Sequence, residues 1–174
     1  MRAVESRYSA EHHMASVNLI FDNEQTAYLR ELSEKMNLDF GEFIPHATLI
    51  NVTEQDIPRL KLAAAALPSL DKLVLDGVNF LPDEAGNCVW VELRVQKTSW
   101  IIEVRRKLLE MLDDIHPGLD IDGFRPHITL GIVEAGTLGD VDMSAIPRQL
   151  PVITKPRAAA CYNGMHGKVV EVVE

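Results

Sequence analysis

A five-residue pattern occurs twice in this chain with its order kept: Pro45-His46-Ala47-Thr48-Leu49 and Pro126-His127-Ile128-Thr129-Leu130. The copies stand almost half of the 174 residues apart, which predicts a duplicated unit. In a strand, residues two apart point to the same face. His46 and Thr48 then share one face, and His127 and Thr129 share another. Ala47, Leu49, Ile128 and Leu130 turn the opposite way, into a core. Proline suits the first residue of a strand, where its missing N–H breaks no ladder bond. Each copy therefore offers an imidazole beside a hydroxyl on a polar strand face.

Two imidazoles facing one cleft suit paired general acid–base catalysis, because their ordinary titration lies near neutral pH. One takes a proton from water and the other gives one to a departing oxygen. Threonine hydroxyls can donate hydrogen bonds to developing negative charge. The pattern requires no nucleophilic side chain, no cofactor and no metal. Two histidines without Asp, Glu or Cys at ligand spacing make a weak zinc site. Which histidine is the base stays open.

Composition narrows the partners. The chain has 26 acidic and 17 basic residues, a net charge of −9. Affinity for long nucleic acid comes largely from phosphate contacts, so this balance favours a small or short substrate. No apolar run approaches the roughly 18 residues of a membrane span. Residues 1–14 lack the apolar stretch of a secretory signal. A cytoplasmic, monomeric enzyme without membrane contact is the expectation. Cys88 and Cys161 form neither a metal-ligand spacing nor a disulfide framework, so structural roles are expected. Residues 1–14 are expected to be a leader, disordered or not native, with Met14 a candidate start. Residues 15–174 are expected to form a single bilobal domain, since at 47% hydrophobic the chain can bury a core.

Periodicity orders the elements. Val17, Leu19 and Phe21 alternate with polar neighbours as in a strand, and Asp22 with Gln25 reads as a helix N-terminus. Tyr28, Leu29, Leu32 and Met36 form the apolar stripe of that helix. The first motif strand follows. A helix from about residue 56 to 67 comes next, with Thr53 a candidate cap and Pro58 in its first turn. A strand over about 73–80 leads to the turn at 82–87. Val89, Val91, Leu93 and Val95 then alternate with Cys88, Trp90, Glu92 and Arg94, the clearest strand in the chain. Thr98 caps a helix to about Ile115, with the second motif strand after it and two strand-like segments near the C-terminus. Strand, helix, motif strand, connection, strand thus occurs twice. The expected architecture is α+β: a duplicated two-lobe fold of antiparallel sheets, helices on the outer faces, and a central cleft carrying one His-x-Thr motif per lobe.

Paired His-x-Thr motifs on strands resemble the two-histidine phosphoesterase superfamily, which includes the 2′-5′ RNA ligase-like proteins and the RNA 2′,3′-cyclic phosphodiesterases. The resemblance covers about residues 15 to 174 in element order, and in residues only at the motifs. It implies the two-lobed fold with an active cleft between the lobes. It also implies hydrolysis of 2′,3′-cyclic phosphates on RNA ends or small nucleotides, with His46 and His127 catalytic and Thr48 and Thr129 on the phosphate. Joining of 2′-5′ RNA linkages is the same chemistry reversed, and a nucleotide-binding module without turnover is the non-enzymatic alternative.

Three further residues are candidates. Arg125, two before His127, would reach the cleft and clamp a phosphate. Trp90 and Arg94 share the face opposite the aliphatic one. Trp90 would stack on a nucleobase or pack against the other lobe, and Arg94 would meet phosphate. His12, His13, His116 and His166 read as peripheral.

Overall fold

Both motifs form strands, with buried and partly open residues alternating as their sequence requires. The computed structural model describes residues 15–83, 85–115, 123–164 and 168–174. In it, β1 is Ala15–Ile20, α1 Asn23–Lys35, β2 His46–Val52, α2 Ile57–Ala65, β3 Lys72–Pro82 and β4 Cys88–Val95. Then come α3 Ser99–Leu112, β5 His127–Glu134, β6 Val152–Thr154, β7 Arg157–Asn163 and β8 Val169–Val172. Ala47, Leu49, Ile128 and Leu130 are buried, while His46, Thr48, His127 and Thr129 stay partly open.

The strands form one antiparallel sheet in the order β6-β3-β4-β5-β2-β1-β7-β8. The two expected lobes are halves of this sheet. They meet at the motif strands, where Ala47 stands opposite Ile128. The fold is α+β, as the element order predicts. The last strand of each sequence repeat crosses to the other half: β3 pairs with β4, and β7 pairs with β1. Buried residues of both halves consequently form one hydrophobic cluster, from Ala15 and Leu19 to Leu108 and Ile128.

Local signals set the helix starts. The Asp22 carboxylate accepts from the Gln25 N–H at 2.8 Å, and Thr98 caps α3. The cap of α2 is Asp56, which accepts from the Arg59 N–H at 3.2 Å, rather than Thr53. The Thr53 hydroxyl instead donates to the Ile115 carbonyl at 3.1 Å. With Pro58 in its first turn, this helix begins at Ile57, and Thr53 lies just past the end of β2.

Two bulges shape the motif strands, one in each half. Between β1 and β2 the register shifts so that Val17 faces Ile50 and Asn18 faces Thr48, leaving Leu49 as the extra residue. Between β4 and β5, Val91 faces Gly131 and Glu92 faces Thr129, leaving Leu130 extra. A buried carbonyl without a partner costs about 1–3 kcal/mol. Each of these carbonyls is met by a buried side chain from the helix of the other repeat. Arg105 of α3 donates to the Leu49 carbonyl at 2.6 Å, and its guanidinium stacks 4.7 Å from the Phe124 ring centre. The Ser33 hydroxyl of α1 donates to the Leu130 carbonyl at 2.7 Å. The helices thus brace the two motif strands crosswise from the core face, and the opposite face of the strands carries the histidines.

Candidate active site

Each histidine is held by its own strand. His46 Nδ1 lies 2.7 Å from the Ile44 carbonyl oxygen, and His127 Nδ1 lies 2.9 Å from that of Arg125. A carbonyl only accepts, so in each ring Nδ1 carries the hydrogen and Nε2 is the atom left for proton transfer. The local i to i−2 bond makes the two rings equivalent. Because β2 and β5 are neighbours, both motifs lie on one face at the centre of the sheet.

The surroundings differ. Asn18, opposite Thr48, is buried and donates from Nδ2 to the Ser16 hydroxyl at 2.6 Å. Ser16 donates to Asn163 Oδ1 at 2.7 Å, and Asn163 donates to Asn51 Oδ1 at 3.3 Å. This network beside His46 is neutral throughout. At the matching position of the other half stands Glu92, opposite Thr129 and fully buried, at 0% exposure. Its Oε1 lies 3.3 Å from His127 Nε2, and its Oε2 lies 3.1 Å from an Arg125 guanidinium nitrogen.

The imidazole of His46 is pushed down from its ordinary range to about 4. Burial is the main cause; the bond to the Ile44 carbonyl opposes it, and the charge of His127 adds to it. His46 is therefore neutral at physiological pH, with Nε2 able to accept a proton. Cys161, on the same face as Ser16 and packed with Ile20, Ala159 and Val169, has its thiol pushed up to about 11 by burial. A thiol so placed is a packing group and not a nucleophile.

The other candidates are placed as follows. Arg125 pairs with Glu92 beside His127 and is 31% exposed at its side chain. Arg94 shares the face of Glu92 but turns toward β3: its Nε lies 2.6 Å from Asp76 Oδ1, and it donates to the Asp76 carbonyl at 3.0 Å. It packs over Gly77, where a Cβ would come within 3.0 Å of the guanidinium. Arg94 thus stands opposite His127 in the β4–β5 register while its guanidinium pairs with Asp76. Trp90 is 4% exposed, registered between Leu81 and Ile132. Its burial favours the second of the two expected roles, packing, over stacking on a nucleobase. His12, His13, His116 and His166 lie outside the described residues. Among the described residues no group of three or more His, Cys, Asp or Glu is placed to hold a metal ion, and no helix is long and apolar enough to cross a membrane.

Two members of the site are absent from a reading of motifs: Glu92 and Asn18. Alternation along β4 puts Glu92 on the face opposite its aliphatic residues, the face that carries the histidines. Its meeting with His127 depends on the pairing of β4 with β5, which no local pattern announces.

No family model and no curated protein matches the sequence. Solved structures do match in fold. The crystal structure of a phosphoesterase superposes with a TM-score of 0.53 over 94% of this chain and 97% of that one, at 16% identity. That of TT0787 of Thermus thermophilus does so with a TM-score of 0.58 over 92% and 95%, at 20% identity. The chain thus shares its fold with a solved phosphoesterase and with TT0787.

Proposed function

We propose that the chain is a metal-independent cyclic phosphodiesterase that opens 2′,3′-cyclic phosphates on RNA ends or small nucleotides. The observation that supports this most is the adjacency of β2 and β5, with both histidines anchored through Nδ1 on one face of the sheet. One imidazole takes a proton from water as its oxygen bonds to phosphorus. The other gives a proton to the ribose oxygen as the P–O bond of the cyclic ester breaks. Thr48 and Thr129 donate hydrogen bonds to the non-bridging phosphate oxygens, where charge builds in the transition state. Arg125 supplies positive charge at the same edge. The proposed partner is a nucleotide or a short RNA end; the net charge of −9 disfavours long nucleic acid.

The test is a screen of 2′,3′-cyclic nucleotides and cyclic-ended oligonucleotides in EDTA, with the monophosphate isomer identified. Turnover to a single isomer is expected. Binding of these compounds with no hydrolysis would leave a nucleotide-binding module, and activity lost in EDTA but restored by zinc would replace the histidine mechanism with a metal-bound hydroxide.

A further inference from the structure

The two motifs are alike in sequence, and their neighbours across the bulges are not. From this we propose that Glu92 assigns the proton-transfer roles: it is a positioning residue that holds His127 as imidazolium, the general acid, and leaves His46 as the general base. The proposal rests on the cyclic phosphodiesterase reading given above.

Among the described residues, charged and titratable groups face His127 from several neighbouring elements. From β4 come Glu92 and Arg94, from the lead into β5 comes Arg125, and from β2 comes His46. Arg94 is paired with Asp76 of β3, so that charge is locally balanced. Arg125 and His127 take separate oxygens of the Glu92 carboxylate. A carboxylate with no exposed surface needs cationic partners, because an uncompensated buried charge is strongly unfavourable. A protonated His127 at 3.3 Å supplies one of them. An opposite charge at that range favours the charged imidazole.

Geometry also leaves the proton transferable. A strong N–H to carboxylate bond spans about 2.7–2.9 Å. The 3.3 Å contact between His127 Nε2 and Glu92 is longer, so the carboxylate does not hold this N–H in a short, strong bond. Among the described residues His46 has no such neighbour. The residue at the corresponding bulge is Asn18, whose amide carries no charge and belongs to the neutral Ser16–Asn163–Asn51 network. The neutral state of His46, depressed to about 4, agrees with its role as base. The duplication therefore supplies two equivalent rings, and one amide-to-carboxylate difference separates their functions.

The experiment is an NMR titration of the ring resonances of His46 and His127 in the unliganded chain and in Glu92→Gln, together with pH–rate profiles on a cyclic nucleotide. In the unsubstituted chain His127 is expected to titrate well above His46. In Glu92→Gln its midpoint should fall by about one unit or more, and the basic limb of the rate profile should fall with it. The acidic limb should stay. Glu92→Asp should recover part of the shift, which a merely structural role would not produce. A His127 midpoint at or below that of His46 overturns the proposal even if Glu92→Gln fails to fold. So does a shift that falls on His46 and the acidic limb. Absence of turnover on every cyclic phosphate removes the functional reading and the roles together, whereas turnover without the difference in midpoints removes Glu92 alone.

Discussion

His46 and His127 are presented alike: each ring is tied to the carbonyl two residues back, each sits beside a threonine, and each follows a proline. One step outward the halves part. The first surrounds its motif with Asn18, Ser16, Asn163 and Asn51, all neutral. The second places Glu92 and Arg125 there, a buried carboxylate and a half-buried guanidinium. Two titratable groups whose environments push them apart are how one scaffold runs acid and base chemistry at a single pH. Under the proposed roles, duplication builds the pair and divergence at a neighbouring strand makes it directional.

The most severe way to break the comparison is to remove each ring. His46→Ala and His127→Ala should each lower kcat by roughly 10^2-fold or more, with the fold retained. The double variant should be little worse than either single one, because the two act as a unit. Near-normal activity in one variant would mean that only one half carries chemistry.

Acid stability separates the halves next. Above pH 6.5 His46 is neutral in both the folded and unfolded chain. As pH falls the unfolded chain binds a proton first, at the ordinary value of 6.5, and the folded chain only near 4. The unfolded state therefore gains relative to the folded one across that window, by at most about 3 kcal/mol. Denaturant melts from pH 7 to 4 should show this slope, and His46→Gln should flatten it. An unchanged slope in that variant would place the acid sensitivity elsewhere.

A smaller effect is expected at the hydroxyls. Thr48→Val and Thr129→Val should each slow turnover roughly 10- to 100-fold, the scale of one hydrogen bond to a charged group. Comparable losses would show that phosphate is gripped from both halves; a loss on one side only would make the grip as asymmetric as the charge. The mildest change makes the halves more alike. Asn18→Asp should raise the acidic limb of the pH–rate profile by about one unit, since a carboxylate favours protonated His46, and should leave the basic limb in place. If the acidic limb does not move, the residue across the bulge does not govern the neighbouring histidine.

Much of this is legible in the chain alone. The facing of His46, Thr48, His127 and Thr129 follows from period two. The start of α1 at Asp22 and of α3 at Thr98 follows from side chains that reach only three residues. The repeat of strand, helix and motif strand is readable because it is an order of local elements. The start of α2 near residue 56 is readable too, but its cap is Asp56 and not the candidate Thr53, because the Thr53 hydroxyl finds the Ile115 carbonyl beyond the end of α3 instead. Alternation puts Arg94 and Trp90 on the correct face of β4. It says which way a side chain points and nothing about what waits there: Asp76 for Arg94, and burial for Trp90.

By itself, then, the sequence determined the two motif strands, the identity and facing of their polar residues, and the α+β succession, because each depends on interactions a few residues long. Tertiary structure alone decided that the halves join into one sheet through Ala47 and Ile128, that β3 and β7 exchange halves, and that Arg105 and Ser33 cross to meet the Leu49 and Leu130 carbonyls. It also decided that Glu92 stands against His127 while Asn18 stands in the matching place beside Thr48. The physical reason is that strand neighbours and bulge registers are fixed by burial and hydrogen-bond satisfaction across the whole sheet, a condition that no short window of residues contains.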